Sequence, residues 1–208
     1  MENIIEVRNL SFGFDGKTIF ENINLDIKKN SKILIYGANG VGKSTFLSIL
    51  ASINSATGGQ VIIKENLKIS YLFQNSNDQF IAPSVIEDVA FSLLAEGVDA
   101  KIAQNNATEI LEKFEISHLK DRSIYNLSGG EKRLVAIAGA LVRDADIYLF
   151  DEPFNELDSY KSELVLKNLN EKNRAFVIIT HHKRDIFDKD TISCEFFKNG
   201  LVIDDLKS

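Results

Sequence analysis

Cysteine is almost absent from this sequence, since Cys194 is the only one among its 208 residues. A disulfide within the chain is therefore excluded, and the composition is typical of a reducing compartment. Long apolar runs are absent as well: no segment approaches the roughly 20 consecutive apolar residues of a membrane-spanning helix. The first residues, MENIIEVRNL, lack the basic start and apolar core of a secretory signal. We therefore expect a cytoplasmic chain that does not cross a bilayer by itself.

Positive charge is also in short supply. Lys and Arg total 24 against 30 for Asp and Glu, which gives a formal net charge of -6. A protein that coats nucleic acid normally presents a basic surface to the phosphates, so this composition disfavours nucleic acid as a partner. It does not exclude a nucleotide, because a nucleotide needs only a local positive site.

The amino-terminal part of the chain carries strand patterns. Strands are predicted over 3–10 and from Ile19 to Leu25, and the Asp15-Gly16 turn between them indicates an antiparallel hairpin. Gly58-Gly59 predicts a further turn. We therefore expect an antiparallel β portion near the N-terminus.

Helices dominate the middle of the chain, at 84–95 and 100–114. In the second of them, apolar residues recur at helical spacing and predict one buried stripe. Its members are Ile102, Ala103, Ala107, Ile110, Leu111 and Phe114. We place a helical sub-domain at about 75–129, inside a single domain 1–208 whose core is formed by 1–74 and 130–208.

Strands and helices alternate after this insertion. A helix over 131–142 is followed by an apolar strand at 147–150, a helix at 159–169 and an apolar strand at 175–180. Such alternation predicts a mainly parallel sheet with helices packed on its faces. The expected fold class is α/β, with the antiparallel β portion and the helical sub-domain added to that core.

A glycine-rich run lies between a predicted strand and a predicted helix. Gly37–Ser44 reads GANGVGKS and fits the phosphate-binding pattern G-x-x-x-x-G-K-[ST]. Glycines let successive backbone N–H groups point into one concavity, and the helix that follows adds its positive end. Lys43 can then reach the β- and γ-phosphates, and Ser44 can hold Mg²⁺. This loop alone leaves kinases, GTPases and many ATPases open, and an ordinary glycine turn that caps a helix is the alternative.

A second candidate for anion binding is Leu127–Glu131, which reads LSGGE at the start of an apolar helix. The first site does not need a second anion-binding helix terminus. The segment makes sense if it closes over the γ-phosphate that another copy holds. A loop with a serine N-cap is the alternative.

Two carboxylates, Asp151 and Glu152, end the apolar strand at 147–150. That position places them at the carboxyl edge of the sheet, where α/β proteins bind ligands. The alternative is an acidic pair that starts a helix before Pro153.

Taken together, these patterns resemble the ABC family of ATPases. The order is GANGVGKST, YLFQ, LSGGE, IYLFDEP and THH, and the match covers about residues 3 to 203. The resemblance implies an enzyme that binds and hydrolyses ATP with Mg²⁺, in a homodimer or heterodimer that closes head to tail around two ATP molecules. It also implies integral-membrane transporter subunits as partners, which would hold the chain on the inner face of the cell membrane.

The resemblance further implies roles for single residues. Glu152 would be the general base, His181 would hydrogen-bond the γ-phosphate, and Asp158 would lie at the dimer interface. Metal binding is implied for Ser44, Gln74 and Asp151. Nucleotide contacts are implied for Phe14, Asn39, Gly40, Val41, Gly42, Lys43, Ser44, Thr45, Gln74, Ser128, Gly129, Gly130 and Asp158.

Three alternatives concern these assignments. Phe12 is the other aromatic that could stack on adenine, although we expect it to face the core. A metal site at His181-His182 is disfavoured, because no cysteine or third nearby histidine completes a ligand set. The loop Gln79–Ala82 is expected to be exposed and to contact a membrane subunit, whereas packing of Phe80 and Ile81 under the helical sub-domain is the other interpretation.

The subtype rests on two stretches. FQNSNDQ at 73–79 and VAIAGAL at 135–141 are similar to the ATPases of energy-coupling-factor importers, which carry cobalt, nickel or vitamins. The chain departs from the usual pattern at four positions, Ser76, Leu134, Glu156 and His182.

A non-transport ABC ATPase of DNA repair or translation is the main alternative, but its usual zinc cysteines, coiled coils or fused second half are not found. Intact Glu152 and His181 argue against a non-hydrolysing half-site of a heterodimer.

Overall fold

The computed structural model describes residues 2–181, 187 and 189–203. The chain forms two compact units. The first contains Met1–Ile69, Ala145–Glu152 and Arg174–Ser208, and the second contains Ser70–Asp144 and Pro153–Asn173. The second unit is larger than the helical sub-domain expected at 75–129.

An antiparallel sheet forms the amino-terminal part of the first unit, in the order β2-β1-β4. Its strands are β1 (Asn3–Phe14), β2 (Lys17–Lys28) and β4 (Gly58–Ile63). Asp15 and Gly16 both have positive φ, as a tight turn between β1 and β2 requires. The predicted turn at Gly58-Gly59 is wrong, since both residues belong to β4. A side chain at Gly59 would collide with the backbone of β1, so glycine is needed there for close approach.

The second sheet of this unit is mainly parallel, as predicted. Within the unit its order is β6-β7-β3-β8-β9, and only the closing pair β8-β9 is antiparallel. Its strands are β3 (Lys32–Tyr36), β6 (Ile147–Asp151), β7 (Ala175–Thr180), β8 (Ile192–Phe197) and β9 (Gly200–Ile203). Every residue of β6 and β7 is buried, which explains why both sequences read as continuous apolar runs.

Helix α1 (Lys43–Leu50) follows β3. Its Phe46 ring lies 6.3 Å from that of Phe20 on β2 and 5.4 Å from that of Phe196 on β8. This aromatic cluster ties α1 to both sheets and forms the centre of the core of the unit.

The second unit is helical. It contains α2 (Val85–Ala95), α3 (Ala100–Lys113), α4 (Gly129–Leu141) and α5 (Ser159–Glu171), and β5 (Ile69–Leu72) leads into it. Ala103, Ala107, Ile110, Leu111 and Phe114 are buried as predicted.

Ile102 is the exception in that stripe. It is 53% exposed, because it lies at the edge of the helical face and α2 and α4 pack against the centre.

No helix in the described part of the chain is long and apolar enough to cross a membrane.

Candidate nucleotide site

The loop Gly37–Gly42 joins β3 to α1 and has the strand–loop–helix context that the pattern requires. Gly40 and Gly42 have φ angles of 76° and 103°, in the left-handed region that favours glycine. A side chain at Gly42 would also meet Ile19 and Phe20. The chain therefore turns tightly into α1, and the free N–H groups of the first turn of that helix point back towards the loop.

Lys43 begins α1, and its side chain turns back into the loop. Its Nζ donates to the carbonyl oxygens of Gly37 at 2.8 Å and Ala38 at 2.9 Å. Burial lowers the pKa of this amine, while the nearby carboxylates of Glu152 and Asp151 act in the opposite direction. The loop thus holds a cation that faces two anions inside the same unit.

Those two anions end β6. Asp151 pairs with Ile179 of the neighbouring strand β7, and the Glu152 N–H donates to the Ile179 carbonyl oxygen at 3.0 Å. Both carboxylates are buried. Glu152 has a φ of 49°, which an ordinary side chain adopts at a cost of about 1–3 kcal/mol. The main chain is therefore strained at the residue that the sequence assigns as the general base.

His181 follows directly after β7. Its Nδ1 lies 3.1 Å from Oε1 of Glu152, and its side chain is 35% exposed against 4% for the glutamate. The His181 side chain therefore lies between the buried Glu152 carboxylate and the protein surface. His182 lies outside the described residues.

The parallel sheet explains why these groups meet. Strands β6, β7 and β3 are neighbours, and they run in the same direction. Their carboxyl ends therefore bring Asp151, Thr180 and Tyr36 to one edge, with the glycine loop after the last of them. Of the predicted site residues, the structure brings together Lys43, Asp151, Glu152 and His181.

The remaining loop and helix positions extend from this cluster. Asn39, Gly40, Val41 and Gly42 belong to the turn into α1, and Ser44 and Thr45 belong to its first turn. Ser44 is exposed. The whole run is therefore continuous with Lys43.

Ser128 of the second unit is the N-cap of α4. It forms a capping box with Glu131: the Ser128 N–H donates to Oε2 of Glu131 at 2.8 Å, and the Ser128 hydroxyl accepts from the Glu131 N–H. The first of these bonds is the main reason that the pKa of Glu131 is lowered. The serine and the glutamate of LSGGE thus have a local structural role, whatever else they bind.

Asp158 is likewise an N-cap, of helix α5. Its Oδ1 accepts from the Lys161 N–H at 2.8 Å. Gln74 has an exposed side chain, and its backbone carbonyl oxygen accepts a hydrogen bond from the Arg133 guanidinium at 3.2 Å. The nucleotide and interface contacts of these two side chains stay predictions.

Arg133 was not among the predicted site residues. It is 2% exposed, on α4, and donates to the carbonyl oxygens of Phe73 at 2.7 Å, Gln74 at 3.2 Å and Pro153 at 3.2 Å. One guanidinium therefore ties the backbone around Gln74 to the backbone that follows Glu152. An arginine directly before the apolar run of α4 at 134–138 was the available signal.

The predicted docking loop is only partly exposed. Ile81 is 67% exposed, but Gln79, Phe80 and Ala82 are half-buried. The Gln79 amide donates to the Ala136 carbonyl oxygen at 3.0 Å and accepts from the Phe73 N–H at 3.2 Å, so its role is structural. The expectation of a fully exposed loop is wrong, because this glutamine anchors it to α4.

Comparison with known proteins identifies the family. The family model described as ABC transporter matches residues 20–155. The chain belongs to the ABC transporter family. It is an ABC transporter ATP-binding subunit and an ATPase.

Individual relatives agree with this assignment. The chain is 34% identical to the energy-coupling factor transporter ATP-binding protein EcfA of Methanothermobacter thermautotrophicus, over 88% of this chain and 63% of the relative. Among solved structures, cbiO1 from Clostridium perfringens, part of the ABC transporter complex cbiONQ, has a TM-score of 0.81 at 27% identity, covering 97% of this chain and 88% of that one. The dimeric structure of a bacterial ABC transporter cassette has a TM-score of 0.80 at 26% identity, covering 92% and 94%.

Proposed function

We propose that this ATPase is the motor subunit of an importer of the energy-coupling-factor type, and that it hydrolyses MgATP at the edge of its parallel sheet. The observation that carries the proposal is the cluster of Lys43, Asp151, Glu152 and His181 around one glycine loop. Three similarities support the subtype: the resemblance of the segment FQNSNDQ at 73–79 to importers of this type, the similarity of the chain to EcfA, and its similarity to the cbiO1 structure.

The triphosphate would bind in the loop. Backbone N–H groups of 39–45 and the amine of Lys43 supply the positive field, and α1 adds its N-terminal end. Lys43 already donates to two loop carbonyls, so phosphate oxygens would replace those acceptors without moving its backbone. The exposed ring of Phe14 would stack on adenine.

Magnesium fits the donors of this site. Ser44 offers a hydroxyl in the first turn of α1, and Asp151 offers a buried carboxylate beside Lys43. Both are hard oxygen ligands of the kind that Mg²⁺ prefers, together with phosphate oxygens and water. Gln74 is the third proposed donor. A bound Mg²⁺ neutralises charge on the phosphates.

Hydrolysis needs a base, and Glu152 is placed for that role. Its carboxylate would accept the proton of the attacking water as the water adds to the γ-phosphorus. The bond from that phosphorus to the β–γ bridging oxygen would break in the same step, and ADP would leave. His181 contacts the same carboxylate at 3.1 Å, so it would hold the Glu152 side chain in one orientation. The N–H of its other ring nitrogen would donate to an oxygen of the γ-phosphate.

Two surfaces would connect this chemistry to transport. Ser128, Gly129, Gly130 and Asp158 would face the nucleotide of a second ABC ATPase, as the dimeric bacterial cassette suggests. An apolar groove of about 200 Å³, edged by Phe80, Ile81, Pro83 and Tyr125, would bind a helix of an integral-membrane subunit and hold the ATPase at the cytoplasmic face of the membrane.

Replacement of Glu152 by Gln tests the mechanism. This variant should bind MgATP normally and lose turnover by about 10²–10⁴, the usual contribution of a positioned base. Lys43→Ala should instead weaken ATP binding, and Glu109→Gln on the exposed face of α3 is the matched control for charge. Phosphate release and nucleotide affinity measured on all three separate binding from chemistry. Turnover of Glu152→Gln at the control rate would remove this residue from the mechanism.

A further inference from the structure

Glu156 lies directly on the start of α4, within the second unit. A side chain on Gly129 would collide with the Glu156 carboxylate, and one on Gly130 would come within 2.9 Å of the Glu156 carbonyl oxygen. Glu156 itself has a φ of 66°, which is rare for a residue with a side chain. The two glycines therefore let this acidic residue approach the helix terminus more closely than any other pair of residues would.

The approach places a negative charge where the proposed dimer needs a positive one. The N-terminal end of a helix attracts anions through its free N–H groups and its dipole. At α4, Glu131 already accepts the Ser128 N–H, and the Glu156 carboxylate lies beside Gly129. Both Glu156 and Gly129 are exposed, so a partner that approaches this surface meets the carboxylate.

The neighbouring cations donate to other acceptors. The Lys132 ammonium donates to the side-chain oxygen of Asn77 at 3.1 Å, and the Arg133 guanidinium donates to backbone carbonyls. These two residues and Glu156 line one cleft of about 170 Å³.

We propose that Glu156 weakens the closed dimer: its carboxylate repels the γ-phosphate of ATP carried by a second copy of this chain. The inference rests on the proposed function, in which the LSGGE segment receives that phosphate. The repulsion acts only when two ATP-loaded copies meet, so it lowers the affinity between copies and leaves ATP binding to each copy unchanged. The closed dimer reopens more readily as a result.

The test uses the full chain with Glu152→Gln as background, so that ATP is retained. Dimer dissociation constants in MgATP are measured by analytical ultracentrifugation, with and without the isosteric neutral change Glu156→Gln. The neutral variant should tighten the dimer by about tenfold for each of its two sites, and Glu156→Ala should do the same. Glu109→Gln, which removes an equal charge from α3, should leave the constant unchanged.

Salt separates charge from packing. Exposed charges are screened over about 10 Å at 0.1 M salt and about 3 Å at 1 M. The difference between Glu156 and Gln should therefore shrink as salt rises. Equal tightening at low and high salt would indicate a packing effect and overturn the proposal.

Two other outcomes are distinguishable. An ATP-dependent dimer whose constant is the same with Glu156→Gln overturns this proposal and leaves the proposed function standing. Absence of any ATP-dependent dimer in both variants, with ATP binding to the monomer intact, overturns the shared nucleotide site and this inference with it.

Discussion

Phe12 and Phe14 lie two residues apart on β1 and have different environments. The Phe12 ring stacks on Phe20 with the ring centres 6.1 Å apart, whereas Phe14 is 69% exposed at the end of the strand. Phe12 is half-buried and its ring contacts the buried Phe20, so the expectation that Phe12 faces the core is met only in part. A large exposed aromatic at a strand end is available for a ligand, and its stacking on adenine is still a prediction.

Replacement of Phe14 by Ala should weaken ATP binding by about 1–3 kcal/mol, the usual worth of a base stacked on an aromatic ring. Calorimetry on the Glu152→Gln background gives the affinity without hydrolysis. Phe12→Ala is the control, and it should lower the free energy of unfolding while the affinity stays the same. If Phe12→Ala loses the affinity and Phe14→Ala keeps it, the wrong aromatic has been assigned.

Lys43 shows how burial and charge oppose each other at one residue. Removal of the amine from water lowers its pKa, and Asp151 and Glu152 offset part of that effect. The folded pKa lies below the unfolded value, so the folded chain binds this proton more weakly. Its contribution to stability therefore rises with pH between those two pKa values. A phosphate in the loop would hold the proton on the amine.

At the scale of the element, the loop before α2 is held by a residue that the sequence analysis did not single out. The Asp88 carboxylate of α2 accepts the N–H groups of Ile81 at 2.7 Å and Ala82 at 3.0 Å. Burial raises the pKa of this carboxyl, and the two hydrogen bonds act against the increase. Gln79 fixes the same loop to α4. Ile81 is thus an exposed apolar side chain on an anchored backbone, as a docking surface requires.

The double variant Phe80→Ser with Ile81→Ser should lose co-purification with the membrane subunits and lose transport, while the isolated chain still binds ATP. Ile81→Ser alone is the cleaner test, because an exposed substitution changes stability by about 0.5 kcal/mol or less. Ile102→Ser on α3 removes a similarly exposed isoleucine and should leave assembly unchanged. Assembly that survives both Ile81 variants would refute the docking assignment. A double variant that does not fold would indicate that Phe80 is part of the core.

At the scale of the whole molecule, we propose that the start of α4 at 128–130, in the second unit, receives a phosphate from a partner copy. The capping box at Ser128 accounts for the serine and the glutamate, and the approach of Glu156 accounts for the two glycines. Neither excludes a phosphate from a partner copy. The solved structure of a dimeric cassette with the same fold supports such a partner.

ATP should therefore control the oligomeric state. Glu152→Gln should be mostly monomeric without nucleotide and dimeric with MgATP, because the γ-phosphate then joins the two copies. Light scattering on a gel-filtration column measures both states, and Lys43→Ala in the same background should remain monomeric. A dimer of equal stability with and without MgATP would point to a different, constitutive interface.

Much of the fold could be predicted from local patterns. The strand β7 and the helices α2 and α3 lie within one residue of their predicted bounds, because apolar periodicity and glycine turns are properties of neighbouring residues. The prediction of a turn at Gly58-Gly59 is wrong for the opposite reason. There, glycine is needed for the approach of a distant strand, β1, and no local pattern contains that information.

The sequence by itself determined the family and the residues of the candidate site: a glycine loop with Lys43, a strand that ends in Asp151 and Glu152, and His181 after the next strand along the chain. Their order and spacing are sufficient for the family. Only the tertiary structure decided how these groups are held. The left-handed backbone of Glu152, the burial of Arg133 and the approach of Glu156 to Gly129 depend on contacts between segments far apart in the chain. Such contacts are set by strand register and helix packing, which one residue's neighbours in sequence do not specify.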